Sequence, residues 1–285
     1  MKIFRKLFKG FVLLLLAALF AGWIAVTNMG YTVRNYTVKS DRLPPSFDGF
    51  VIAQISDLHS RELGSLAADI EAGEPDVILI SGDLVSRRDR ELPGELVSDL
   101  VRIAPVYYSP GNHEADNERY PEMRDALRAL GVTVLEGESV TLERTTEDGE
   151  AQYIRIAGIA DPAAVTGDDP ADGEVRDAVD AALCTTVDGS DAFTVLISHR
   201  PEYMILYEAH SVDVVFSGHA HGGALRLPFI GAVWAPGQGF FPAYDGGLYE
   251  SEYAAMVVSR GLGKSKEPFR VNCSYELVFC TLKQS

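Results

Sequence analysis

Ser217-Gly218-His219-Ala220-His221-Gly222-Gly223 follows an apolar run, Val212-Asp213-Val214-Val215-Phe216. The run reads as a buried strand that stops at a glycine and then presents two histidines two residues apart. Glycine lets the backbone bend sharply and approach a bound group with no Cβ in the way. Imidazole is a common metal ligand, and two in one tight turn can reach two adjacent ions. A polar turn with two solvated histidines is the plain alternative for this stretch taken by itself.

Four turns upstream share its design. Phe50-Val51-Ile52-Ala53-Gln54-Ile55-Ser56 ends in Asp57-Leu58-His59, and Asp76-Val77-Ile78-Leu79-Ile80 ends in Ser81-Gly82-Asp83. Pro105-Val106-Tyr107-Tyr108 ends in Ser109-Pro110-Gly111-Asn112-His113-Glu114. Phe193-Thr194-Val195-Leu196-Ile197 ends in Ser198-His199-Arg200-Pro201. Each places a potential ligand just past the carboxyl end of a predicted strand, where open α/β sheets put their sites. Five of the six histidines lie in these turns, and only His210 lies elsewhere.

The ordered set D-x-H, G-D, G-N-H-E, a lone H and G-H-x-H resembles the calcineurin-like metallophosphoesterase superfamily over roughly residues 48–225. With the apolar N-terminal segment, Ser198-His199-Arg200-Pro201 and Ser259-Arg260-Gly261-Leu262-Gly263 look more narrowly like its membrane-associated bacterial YkuE/YaeI-type branch. The resemblance implies a four-layer α/β/β/α sandwich with two divalent metal ions at one sheet edge. It implies Asp83 as the bridging carboxylate, with Asp57, His59 and His221 completing one metal site and Asn112, His199 and His219 the other. Nitrogen and oxygen donors without thiolate suit Mn, Fe, Zn or Ni, and do not choose among them. His113 and Asn112 are the implied catalytic residues, with His113 donating a proton to the leaving oxygen or stabilising its charge. Glu114 is read as orienting His113 or as a plain helix N-terminal carboxylate. Asp116 and Asp161 are candidate supporting acids, and Arg61, Arg200 and Arg226 candidate phosphate contacts; surface or structural roles are the alternative for each.

The 285 residues carry a formal charge of −16, unevenly spread. Residues 1–30 hold Lys2, Arg5, Lys6 and Lys9 and no acid, so the rest of the chain carries −20. A body that acidic repels polyanions, and no nucleic acid is expected as a partner. Phe11–Thr27 is an uncharged apolar run of 17 residues. That is within the range of a spanning helix. A signal peptide is the rival reading, but ending at Ala25 would put Trp23 at the critical cleavage position. The uncleaved anchor is favoured, with its cations inside and the body extracytoplasmic at the cell membrane. Cys184, Cys273 and Cys280 lack paired spacing and read as small buried hydrophobes.

The expected organisation is a basic tip and transmembrane anchor over 1–30, a linker and first strand over 31–48, and the catalytic domain over 49–285. Glu136 to Ala157 predicts two strands around Glu147-Asp148-Gly149. Asp161 to Gly173 predicts a loop, read as a solvated connector or a substrate-shaping cap, then a helix from about Glu174. The tail from Ala224 reads as short strands. Gly261-Leu262-Gly263-Lys264-Ser265 is not a P-loop, since position 258 is Val where glycine is needed. The expected activity is hydrolysis of a membrane-proximal phosphoester, a diester first, with a lipid-linked substrate included. A nucleotide-lipid pyrophosphatase similar to the UDP-diacylglucosamine hydrolases is the alternative, as is a non-catalytic scaffold on the same fold.

Overall fold

The computed structural model describes residues 2–87, 91–166, 172–187, 189, 191–264 and 270–285. Elements are numbered along the chain. Two six-stranded sheets carry the fold. The first comprises β1 (Tyr31–Ser40), β2 (Val51–Ile55), β3 (Val77–Ser81), β4 (Val106–Ser109), β5 (Thr133–Val134) and β16 (Tyr275–Gln284). Their order is β1-β16-β2-β3-β4-β5, parallel except where β16 meets β2. The second comprises β6 (Glu138–Thr145), β7 (Ala151–Gly158), β8 (Phe193–Ile197), β9 (Val214–Ser217), β14 (Gly247–Glu250) and β15 (Ala255–Val258), ordered β14-β15-β9-β8-β7-β6.

Central strands are apolar at nearly every position because both faces are covered. Alternation along each strand separates the faces. Ile52, Leu79, Val195, Ile197, Val214 and Phe216 point inward and form the core between the sheets. Ala53, Ile55, Ile78 and Ile80 point outward and pack with side chains of α2 (Leu66–Glu71), α3 (Gly94–Ile103) and α5 (Tyr120–Ala129). Leu196, Val215 and Met256 face out of the second sheet, in one cluster with Val179 and Leu183 of α7 (Asp172–Thr186) and Leu206 and Tyr207 of α8 (Met204–Ala209). The result is the expected α/β/β/α sandwich. Two short helices, α4 (Asn112–Ala115) and α6 (Ala163–Thr166), lie at the strand ends.

The predicted strands around Glu147-Asp148-Gly149 are β6 and β7. Three readings need correction. Only the first part of the tail is short strands: the hairpins β10 (Arg226–Leu227) with β11 (Gly231–Ala232), and β12 (Trp234–Ala235) with β13 (Gly239–Phe240). Its end is the ten-residue β16, inserted between β1 and β2. Cys184 is exposed, unlike Cys273 and Cys280, because its position on α7 faces away from the sheet. The 161–173 loop contains α6, and its residues 167–171 lie outside the described residues, as does Ser265–Phe269 beyond the Gly261-Leu262-Gly263 turn.

Helix α1 (Lys2–Thr27) extends the apolar run back through the basic tip. Its Ile3–Thr27 portion, 25 residues, is long and apolar enough to cross a membrane and is not buried in the body. At 1.5 Å per residue that is about 38 Å. The helix ends against the body: the Asn28 amide donates to the Arg270 carbonyl at 2.8 Å and accepts from its N–H at 2.7 Å. Arg61 donates to the carbonyl of Met29 at 3.1 Å and to that of Leu262 at 2.7 Å.

Candidate metal centre

All five histidine- or aspartate-bearing turns converge at the carboxyl ends of β2, β3, β4, β8 and β9. Their backbones are tightly bent. Asp57, His59, Asp83, His219 and His221 hold φ values of 48°, 49°, 52°, 65° and 51°. That left-handed region costs an L-residue about 1–2 kcal/mol and persists where the surroundings over-determine it. Here they do. Asp57 N–H donates to the Gly82 carbonyl, His59 N–H to that of Asp83 and Gly218 N–H to that of His199, at 3.0, 3.0 and 3.1 Å. Glycine is required where turns touch: a Cβ on Gly82, itself at φ 89°, would sit 2.8 Å from the Gly111 Cα.

The side chains meet within hydrogen-bond or near-contact range. His199 Nε2 is 3.4 Å from Asp83 Oδ2, and His221 Nε2 is 3.4 Å from Asp57 Oδ1. His59 Nε2 lies 4.0 Å from Asp57 Oδ1 and 3.8 Å from Asp83 Oδ2, so it faces both carboxylates. Donor atoms of Asp57, His59 and His221 fall within 4.8 Å of one another, as do those of Asp57, Asp83 and His199. His59, Asp83 and His113 form a third such group. The His219 ring sits edge-on to that of His199, 5.0 Å between centroids, and the backbone N–H of His219 donates to both Asp57 carboxylate oxygens at 3.2 Å.

The protonation pattern asks for a cation. Burial keeps the imidazoles of His219 and His221 well below their ordinary pKa, and lowers His59 to about 4. These rings are neutral and free to ligate. Burial also pushes Asp57 up to about 6, while at His199 it is outweighed by the Asp83 and Asp57 carboxylates, which push that ring up to about 10. His199 Nδ1 is 2.7 Å from the Ser81 carbonyl, which can only accept, so the proton is on Nδ1. A ring that basic also carries a proton on Nε2, facing Asp83, and a positive ion between the two would take that proton's place and free the Nε2 lone pair to ligate. Two further buried atoms, Asn112 Oδ1 and His59 Nδ1, have no hydrogen-bond partner. An oxygen- and nitrogen-only set with an unpartnered amide oxygen fits divalent metal ions.

The arrangement brings Asp57, His59, Asp83, His199, His219 and His221 together. Asn112 lies in the turn whose next residue, His113, donates its backbone N–H to Asp83 Oδ1 at 2.9 Å, and the His113 side chain, at the rim, is 21% exposed. The Arg87 N–H donates to His113 Nδ1 at 3.1 Å, which leaves Nε2 as the protonated nitrogen, 3.8 Å from Asp83 Oδ2. Glu114 does not orient His113. Its buried carboxylate accepts N–H bonds from Asp83, Val85 and Gly111 at 2.8, 3.1 and 2.8 Å, so it shapes the Asp83 turn instead. The three arginines are committed to the protein. Arg200 forms a two-pronged pair with buried Asp161 at 2.8 and 2.9 Å, Arg226 pairs with Asp245 at 2.7 Å, and Arg61 holds the end of α1. Asp116 pairs with Arg87.

Sequence reasoning missed the supports. Ser56 donates to Asp57 Oδ2 at 2.6 Å, and Gln54 bridges Ser81 Oγ and the Ser217 carbonyl at 2.8 and 2.9 Å. Buried Arg270 reaches His221 Nδ1 at 3.2 Å and the Gly263 carbonyl at 3.0 Å. Gly263 N–H donates to the Asp57 carbonyl at 2.6 Å, packing the Gly261-Leu262-Gly263 turn directly on the Asp57 turn. A serine closing each of the five ligand-bearing strands was the available signal.

Face-packed sheets whose strand ends gather carboxylates and imidazoles are matched, over residues 50–223, by the family model for calcineurin-like phosphoesterases, and the chain belongs to that family. Among its relatives is the uncharacterized metallophosphoesterase YkuE of Bacillus subtilis (strain 168), 28% identical over 260 residues, covering 88% of this chain and 85% of that one. The phosphodiesterase YaeI of Escherichia coli (strain K12) is 26% identical over 248 residues, 82% of each chain. A transmembrane protein with metallophosphoesterase domain from Bos taurus is 27% identical over 258 residues; they make up 86% of this chain but 55% of that protein.

Proposed function

We propose that the protein is a membrane-anchored phosphodiesterase using two divalent ions. The supporting observation is the buried Asp83 carboxylate, within reach of His59, His199 and His113, with the unpartnered Asn112 Oδ1 in the turn that carries His113. The Escherichia coli relative being a phosphodiesterase supports a diester. Asp57, His59, Asp83 and His221 would hold one ion, and Asp83, Asn112, His199 and His219 the other. When bound, such ions lower the pKa of a water that attacks phosphorus and offset the phosphoryl charge.

The remaining work falls to this chain. His199, its Nδ1–H fixed on Ser81, presents Nε2 in one orientation. Glu114, through three N–H groups, fixes the bend that aims Asp83. His113 is held below its ordinary pKa by burial, with Arg87 adding to the effect and Asp83 opposing it. Its neutral ring therefore offers an Nε2–H donor to the leaving oxygen.

Ligand and donor roles separate in one experiment. Asp83→Asn should lower metal content at both sites and abolish hydrolysis. His113→Ala should retain close to two metals per chain while slowing turnover by roughly 10²–10⁴. Its loss should be smaller on a nitrophenyl diester, whose leaving oxygen needs little help. Loss of a metal in His113→Ala would make it a ligand instead.

A further inference from the structure

The segment after the His221 turn is unlike the rest of the acidic body. Between His221 and Asp245 there is no acid and one cation, Arg226, already paired with Asp245. It contains the apolar side chains Phe229, Ile230, Trp234, Phe240 and Phe241, all solvent-exposed, with Phe229 fully so and Phe240 at 74%. Exposed aromatics on this scale are costly in water and mark a contact surface.

Its position says which surface. Arg270, paired with Asn28 at the end of α1, is followed by Val271, which forms a parallel bridge with Leu225; Arg226 N–H donates to the Val271 carbonyl at 3.0 Å. Val233 N–H then donates to the Leu225 carbonyl at 3.0 Å, and Phe241 N–H to that of Val233 at 2.9 Å. The first hairpin is thus joined, through one intervening chain segment, to the end of the helix that would enter the membrane. The second hairpin is bonded onto the first. The same strip begins at His221, so it borders the metal centre.

We propose that these two hairpins are a second membrane contact, seating their aromatic tips in the bilayer interface beside α1. Aromatic side chains favour that depth. A strip without acid is where a body of −20 charge can approach anionic headgroups at least cost. The metal centre would then open at headgroup level, and its substrate would be a phosphoester carried by a lipid. This inference rests on reading α1 as an anchor.

The chain contains two tryptophans, Trp23 in α1 and Trp234 in β12, so each can be made the sole reporter. The full chain is reconstituted in phosphatidylcholine vesicles with and without bromine on the acyl chains. In Trp23→Phe, brominated lipid should remove roughly half or more of the Trp234 emission, as for a residue at the interface. In Trp234→Phe, quenching of Trp23 reports the anchor independently. Quenched Trp23 with unquenched Trp234 overturns the second contact and leaves the anchor standing. Neither being quenched overturns both. Trp234 shielded from aqueous acrylamide yet untouched by bromine means that a protein surface, such as a second copy, covers the strip, which also overturns the proposal.

Discussion

Glu202 sits in the single turn after His199, its carboxylate buried and 3.9 Å from Arg200, with Gly237 of the second hairpin packed so closely that a Cβ there would collide with it. Burial raises its pKa to about 7, opposed chiefly by Arg200. The folded state therefore holds a proton that the unfolded chain releases near 4.5. The sign follows: stability from this group is complete below about 4.5 and is lost as pH climbs through about 7, by up to about 3 kcal/mol. Glu202→Gln should melt with wild type at pH 4 and above it at pH 8. Equal melting temperatures at both pH values would mean that the carboxylate is adequately satisfied where it is.

Elements are held by their turns, and the Gly261-Leu262-Gly263 turn is the most demanding. A Cβ on Gly263 would run into the Leu58 carbonyl and lie 2.7 Å from that of Asp57. These are backbone atoms, which cannot swing aside. Gly263→Ala should displace Asp57 and lower turnover by about 10²-fold, the usual cost of a misplacement near 1 Å. Gly94→Ala is the control, since a Cβ there meets nothing within 4 Å. Equal rates in the two variants would refute the role of this turn. The contrast between these turns explains what could be read in advance. Each ligand turn is written locally, as apolar strand, serine, glycine and donor within a few residues, and the two-faced burial of the strands follows from the same runs. The supports are not local: Arg270 acts on His221 across 49 positions, and Asn28 meets Arg270 across 242. Nor does Glu114 reveal from its neighbours that its carboxylate faces Asp83, Val85 and Gly111 rather than His113.

For the whole molecule, orientation and order of assembly remain. The cations of α1 lie on its N-terminal side, so we expect the body to be outside the cell membrane. Protease added to intact cells should digest it, and protection until lysis would reverse the topology. The ten-residue β16 pairs with β1 from Tyr31↔Tyr275 to Ser40↔Gln284 and with β2 on its other side. The gap between edge strand β1 and β2 stays open until β16 has been made. A nascent chain with residues 275–284 still in the exit tunnel cannot close this sheet. A sheet left open at that point keeps the chain loose enough for a membrane channel, as export of the body would require. Nascent chains arrested with residues 275–284 in the tunnel should stay sensitive to protease, whereas a resistant core at that stage would show that the body closes without its last strand.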